Sequence, residues 1–151
     1  MEKLVKFDIL CPNSMVGLLK GKNQTNINRI RRETTAVVYT TESARYTTVT
    51  VSSLEKQLDD GSPAIDAALA ILRYCLETIN YERFKLTLLV EGKYRNDLGE
   101  DFFGQWNQQT LTVITLNDLN GDTIVEFFGG NHGIRNALLL FMRNLRNKFF
   151  D

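Results

Sequence analysis

Apolar positions along this chain switch between a spacing of two and a spacing of three to four, and the switches mark out its elements. Leu4, Phe7, Ile9 and Leu10 predict a strand, ended by Pro12. Asn13 and Ser14 are good helix starters, and Met15, Val16, Leu18 and Leu19 predict a short helix too apolar to lie free on a surface. Gly21 stops it. From Thr25 to Arg32 helical spacing resumes, with Ile27 and Ile30 toward the core. That phase leaves Lys22, Asn26, Arg29 and Arg32 toward solvent or ligand. Residues 36–40 and 46–52 predict two strands, the second alternating around Val49 and Val51. Asp59-Asp60-Gly61 breaks the chain. Ser62 as cap and Pro63 in the first turn then start a helix, with Ile65, Ala68, Leu69, Leu72, Leu76 and Ile79 as its apolar stripe.

After a short link at residues 81–83 the order repeats. A strand carries Phe84, Leu86, Leu88 and Val90. A polar segment with Tyr94, Leu98, Phe102, Phe103 and Trp106 follows. Two strands, at 110–116 and 123–128, flank a turn at 117–122, and a long helix runs over 131–150. So short a link predicts two units packed together, 1–80 and 81–151. Ile134, Leu138, Phe141, Leu145 and Phe149 form one stripe of the last helix, and Leu139, Leu140 and Met142 widen it. A helix apolar over most of its girth is buried on two sides, so those three residues are the expected interface, between the halves or with a partner.

The order β-α-α-β-β-α over residues 4–80, with Val16-Gly17, Gly21-Lys22 and the Ile27 and Ile30 spacing behind them, resembles the eukaryotic-type KH domain. The resemblance implies a fold of class α+β: a three-stranded antiparallel sheet packed on helices. It also implies a single-stranded RNA groove beside a Gly-x-x-Gly turn, whose backbone N–H groups approach the phosphates closely. Here the turn reads Gly21-Lys22-Asn23-Gln24, without the second glycine. Asn23 tolerates a left-handed backbone, so the turn can still form. Gln24 adds bulk where phosphate would approach, and Lys20 stands where the family has an apolar residue. The implied nucleic-acid site is Gly17, Lys20, Gly21, Lys22, Asn23, Gln24, Asn26, Arg29 and Arg32. The second half resembles a degenerate KH fold in element order only. Its nearest turn, Gly99-Glu100-Asp101-Phe102, sets two acids where a phosphate would sit.

Composition narrows the chemistry. Eighteen basic and eighteen acidic residues cancel, so any nucleic-acid footprint has to be local. Residues 17–32 supply one: Lys20, Lys22, Arg29, Arg31 and Arg32, with no acid among them. A solvated helix face is the plainer reading of such a cluster. Cys11 and Cys75 are too few for a metal site or a disulfide framework and read as small core hydrophobes in a reducing compartment. The start of the chain shows no signal-peptide run, and no apolar stretch approaches a membrane span. The expected place is therefore cytoplasm or nucleus.

The lone His132 sits at a helix start, where capping or solvent exposure suits it better than catalysis. Neither a Ser/His/Asp set, metal-ligand spacing nor a P-loop is present, so no enzyme, cofactor or small-molecule substrate is expected. Trp106, Phe102 and Phe103 either stack bases or pack a core, and their helical spacing favours the core. Two functions stay open: weak or altered single-stranded RNA binding through the first half, or a protein-interaction scaffold in an RNA-regulatory complex, with a protein partner or a second copy.

Overall fold

The computed structural model describes residues 1–78 and 84–151. The link at 81–83 and Ile79 of the predicted stripe lie outside them. The chain divides into two compact units, Met1–Asn80 and Tyr81–Asp151. Both are α+β, with an antiparallel sheet packed on helices.

The first unit runs β1 (Lys3–Pro12), α1 (Asn13–Lys20), a 3-10 turn (Lys22–Gln24), α2 (Thr25–Thr34), β2 (Val37–Glu42), β3 (Tyr46–Glu55) and α3 (Pro63–Thr78). Its sheet order is β2-β3-β1. Strand alternation buries Val5, Phe7, Ile9 and Cys11 of β1 against the helices. The same period turns Leu4 and Leu10 to the other face, so the predicted apolar segment is in fact divided between two faces, and Leu4 is 55% exposed. Ile27 and Ile30 of α2 are fully buried, each contributing about 1.5–3 kcal/mol. The Ser62 cap forms as predicted: the Ile65 N–H donates to its Oγ at 3.2 Å. Glu55, which the sequence pattern did not single out, is buried at the same helix start. Its Oε2 accepts from Ser62 Oγ at 3.0 Å and from the Ala64 N–H at 3.1 Å, which joins the end of β3 to α3.

One predicted detail differs. Asn13 does not cap α1; Pro12 stands at the cap position and Asn13 is the first helical residue. Its side chain is spent 30 residues away. Nδ2 donates to the Ser43 carbonyl at 3.0 Å, and Oδ1 accepts from Thr47 Oγ1 at 2.7 Å. Cys11 and Cys75 are both buried, as core residues should be, and also share a side-chain hydrogen bond. That bond, with burial, holds the Cys11 thiol far above the ordinary thiol range.

The second unit runs β4 (Phe84–Val90), 3-10 turns at Gly92–Asp97 and Glu100–Phe102, α4 (Phe103–Thr110), β5 (Val113–Leu119), β6 (Asp122–Gly129) and α5 (Asn131–Lys148). Its sheet order is β4-β6-β5, again first, third, second strand of the unit. An aromatic cluster fills the core: Phe127 meets Phe141 edge-on at 5.3 Å, and Phe103 lies 5.9 Å from Trp106. Leu138, Phe141 and Met142 are fully buried, while Leu139 and Leu140 are half-buried.

The predicted strand start at Thr110 is wrong. Thr110 ends α4, with its Oγ1 bonded to the Trp106 carbonyl at 2.6 Å, and β5 begins three residues later. The broad turn predicted at 117–122 is a tight hairpin. Asn120 and Gly121 have φ of 49° and 88°, the two left-handed residues of a type I′ turn, and Leu119 pairs with Asp122. His132 is exposed and caps nothing; Gly130 holds the cap position of α5.

Candidate nucleic-acid interface

Gly21 closes α1 through its N–H on the Gly17 carbonyl at 3.0 Å, with φ 73° and ψ 176°. The backbone angle demands glycine here, and a Cβ would also press on the Asn26 side chain, 2.8 Å from its Nδ2. Asn23 and Gln24 then follow at φ 55° and 61°, both left-handed, before α2 begins. The Gln24 N–H donates to the Gly21 carbonyl at 3.2 Å, and Thr25 Oγ1 donates to the Lys22 carbonyl. The turn therefore keeps a glycine-type backbone at Gln24 although glycine is gone. Holding a non-glycine residue there costs about 1–2 kcal/mol.

The named site residues fall in three groups. Gly17, Lys22, Asn23 and Gln24 are exposed along the end of α1 and the turn, and nothing lies within 4 Å of where a Gly17 Cβ would sit. Arg29 and Arg32 are exposed on α2. Among the described residues, the side chains of Lys22, Arg29 and Arg32 make no ion pair or hydrogen bond. Gly21, Lys20 and Asn26 are half-buried, and Asn26 packs under the turn against Gly21. Lys20 is partly neutralised: its Nζ lies 3.6 Å from Glu42 Oε1, at the end of β2.

Arg31 was counted with the cluster by charge, but the fold gives its side chain different work. Nε and Nη2 donate to the Val38 carbonyl at 2.9 and 2.6 Å, and Nη1 donates to Asn28 Oδ1 at 2.9 Å. The guanidinium thus bridges α2 to β2. The β2–β3 loop is also tied to the start of α1, a contact the sequence pattern did not show. Asn13 holds Ser43, and its own N–H reaches the Arg45 carbonyl at 3.4 Å, which keeps exposed Arg45 beside the start of α1. No local pattern announces a contact between residues so far apart in the chain.

The counterpart turn in the second unit has a different character. Gly99 is its one left-handed residue, followed by Glu100 and Asp101. Glu100 Oε2 pairs with Arg95 Nη1 at 3.2 Å. A cavity of about 310 Å³ lies beside the turn, with Asp97, Asp101, Phe102, Asn144 and Lys148 among its lining. Phe103 and Trp106 are core residues; Phe102 is 49% exposed and stacked on Trp106 at 5.7 Å and 20°. Among the described residues no group of acids, histidines and cysteines could hold a metal ion, and no helix is long and apolar enough to cross a membrane.

Residues 6–72 match the family model of the KH domain. Comparison with curated protein sequences finds no match. Among solved structures, the chain is similar to the a/eIF2alpha–aDim2p–rRNA complex from Pyrococcus horikoshii OT3, at 12% identity and TM-score 0.39, over 95% of this chain and 86% of that one. It is similar to Dim2p from the same organism at 11% identity and TM-score 0.33, over 97% and 91%. A protein of unknown function from Aeropyrum pernix is similar at 10% identity and TM-score 0.31, over 99% and 91%.

Proposed function

We propose that this chain binds single-stranded RNA weakly through the turn and α2 of its first unit, and that its second unit is a KH-like fold without that activity. The observation that carries the reading is the Gly21–Gln24 turn. It keeps two consecutive left-handed residues next to three cations, Lys22, Arg29 and Arg32, that nothing described pairs with. The Gly21, Gln24 and Thr25 N–H groups donate within the turn, so attraction for an anion rests on these exposed cations. KH domains use this turn to clamp about four nucleotides. Gln24 places a side chain where backbone and phosphate would meet, and Glu42 draws on Lys20. Both weaken the grip relative to a glycine turn with a free lysine.

A scaffold role for the second unit has its own support. Phe102, Leu111, Val113 and Phe128 are exposed there, and the acidic turn repels phosphate. The test is titration of short single-stranded RNAs at several salt concentrations. Three phosphate contacts predict a slope of log K against log salt of about −2. No binding to any pool oligonucleotide even at low salt refutes the RNA reading and leaves the scaffold.

A further inference from the structure

We propose that Arg31 is a positioning residue of the RNA interface rather than one of its phosphate contacts; the inference rests on the RNA reading above. Two of its nitrogens are spent on one backbone carbonyl, Val38 O, and a third on Asn28. A planar fork held by three hydrogen bonds is not free to follow a phosphate. The bonded carbonyl also sits in an informative place. β2 is an edge strand of its sheet, paired only with β3 inside the unit. In an antiparallel ladder a residue's N–H and C=O point to the same side, and the side alternates along the strand. Val38 offers its carbonyl to Arg31, so Val38, Thr40 and Glu42 face away from β3, and Val37, Tyr39 and Thr41 face it. Arg31 occupies the carbonyl of the first outward position. The next outward carbonyl along the strand is that of Thr40. The guanidinium therefore sets two things at once: the distance between α2 and the strand, and the point on the strand where a ligand can first pair.

The second unit supplies an internal contrast. Arg31 stands four residues before the left-handed cap Thr35, and Val38 three after it. Counted in the same way from the left-handed cap Leu111, the matching residues are Asn107 and Ile114. Asn107 Oδ1 is buried without a hydrogen-bond partner among the described residues. A short amide at this position builds no bridge to the strand, and the unit with the acidic turn is the one that lacks it.

Arg31→Lys keeps the charge and loses the fork; Arg31→Met loses both. Binding to rA, rC and rU oligonucleotides is measured for both variants across salt, well below their unfolding temperatures. A positioning role predicts that both lose about tenfold in affinity, with compressed preference among the three bases and an unchanged salt slope. A merely structural role lowers thermal stability but leaves the base preference of the folded molecules intact, and overturns the proposal. So does a phosphate contact, which predicts a wild-type-like Lys variant and a slope about 0.7 shallower for Met. The Arg31 Nε–H in the free protein gives a readout without RNA. Slow exchange supports the fork, and exchange at the rate of a free guanidinium overturns it. A wild-type chain with a slowly exchanging Nε–H and no RNA binding defeats the RNA reading itself, and this proposal with it.

Discussion

The two units share a frame and differ in what they hang on it. Counted back from the left-handed caps Thr35 and Leu111, Ile27 matches Phe103 and Ile30 matches Trp106, and all four are buried. Both sheets also run first, third, second strand. The outward positions diverge. Arg29 and Arg32 are answered by Gln105 and Gln108, all four exposed, while Lys22 is answered by Leu98, buried in its unit. Asn23 and Gln24 are answered by Gly99 and Glu100. A buried face is constrained by packing, since a lost methyl is felt at once. An exposed face is constrained only by what it binds, so charge and function can leave it while the fold stays. The comparison teaches that the same buried frame persists where the matching exposed positions carry no cations.

The largest effect expected from breaking this contrast is on RNA affinity. Lys22→Glu with Arg29→Glu should lower it more than tenfold for every sequence alike, since phosphate contacts carry little base information. Fluorescence anisotropy with unrelated oligonucleotides checks this, and unchanged affinity would move the site elsewhere.

Next come the strained caps. Thr35 is β-branched at φ 62°, its hydroxyl bonded only to the adjacent Thr34 carbonyl at 2.6 Å, and Leu111 is bulky at φ 55° and 85% exposed. Thr35→Gly and Leu111→Gly relieve the larger strain of a β-branched and a bulky residue, which exceeds the cost of glycine's freedom in the unfolded chain, so each should stabilise the protein by up to about 1 kcal/mol. Thermal denaturation would read that as a rise of about 2–4 °C. A fall in either variant would mean that its side chain holds a contact worth more than the strain.

Gln24→Gly has a smaller, more informative effect. Relief of the left-handed strain is offset by the extra backbone freedom of glycine in the unfolded chain, so stability should change by less than about 1 kcal/mol. RNA affinity should rise a few-fold if the side chain is the obstacle. No gain would show the groove itself to be unfit, and would strengthen the scaffold reading.

The smallest effect should come from the reverse graft, Gln105→Arg with Gln108→Arg and Glu100→Gln. Charge alone should make RNA binding by the intact chain more salt-dependent without adding base preference. A gain in base preference would mean that the second unit already has a usable groove.

Much of this was legible in the residues. Periodicity placed the strands and helices because burying apolar side chains on one face is a local property of spacing. Gly21 and the Ile27 and Ile30 phase located the turn and set Arg29 and Arg32 outward, but the same phase also set Asn26 outward, and Asn26 packs under the turn. Ser62-Pro63 announced the start of α3 through a cap that is itself local. Charge also marked five cations over residues 17–32, of which Lys20 and Arg31 are engaged elsewhere. The errors share a cause as well. Thr110 has strand propensity but spends its hydroxyl on the preceding turn of α4, and Asn120-Gly121 was absorbed into a broader polar run although the pair alone specifies a tight hairpin.

What only the tertiary structure decided is how polar side chains are spent. Arg31 and Arg32 are neighbours with the same charge, yet one bridges to Val38 and the other points to solvent. Asn13 has the chemistry of a cap and serves as a clamp on the β2–β3 loop. Lys20 is drawn to Glu42. Hydrogen bonds and ion pairs act over about 3–4 Å. Which partner falls within that reach depends on how distant segments of chain pack, and no local pattern carries that information. Apolar spacing therefore determined the frame, and long-range packing determined which cations the frame leaves free.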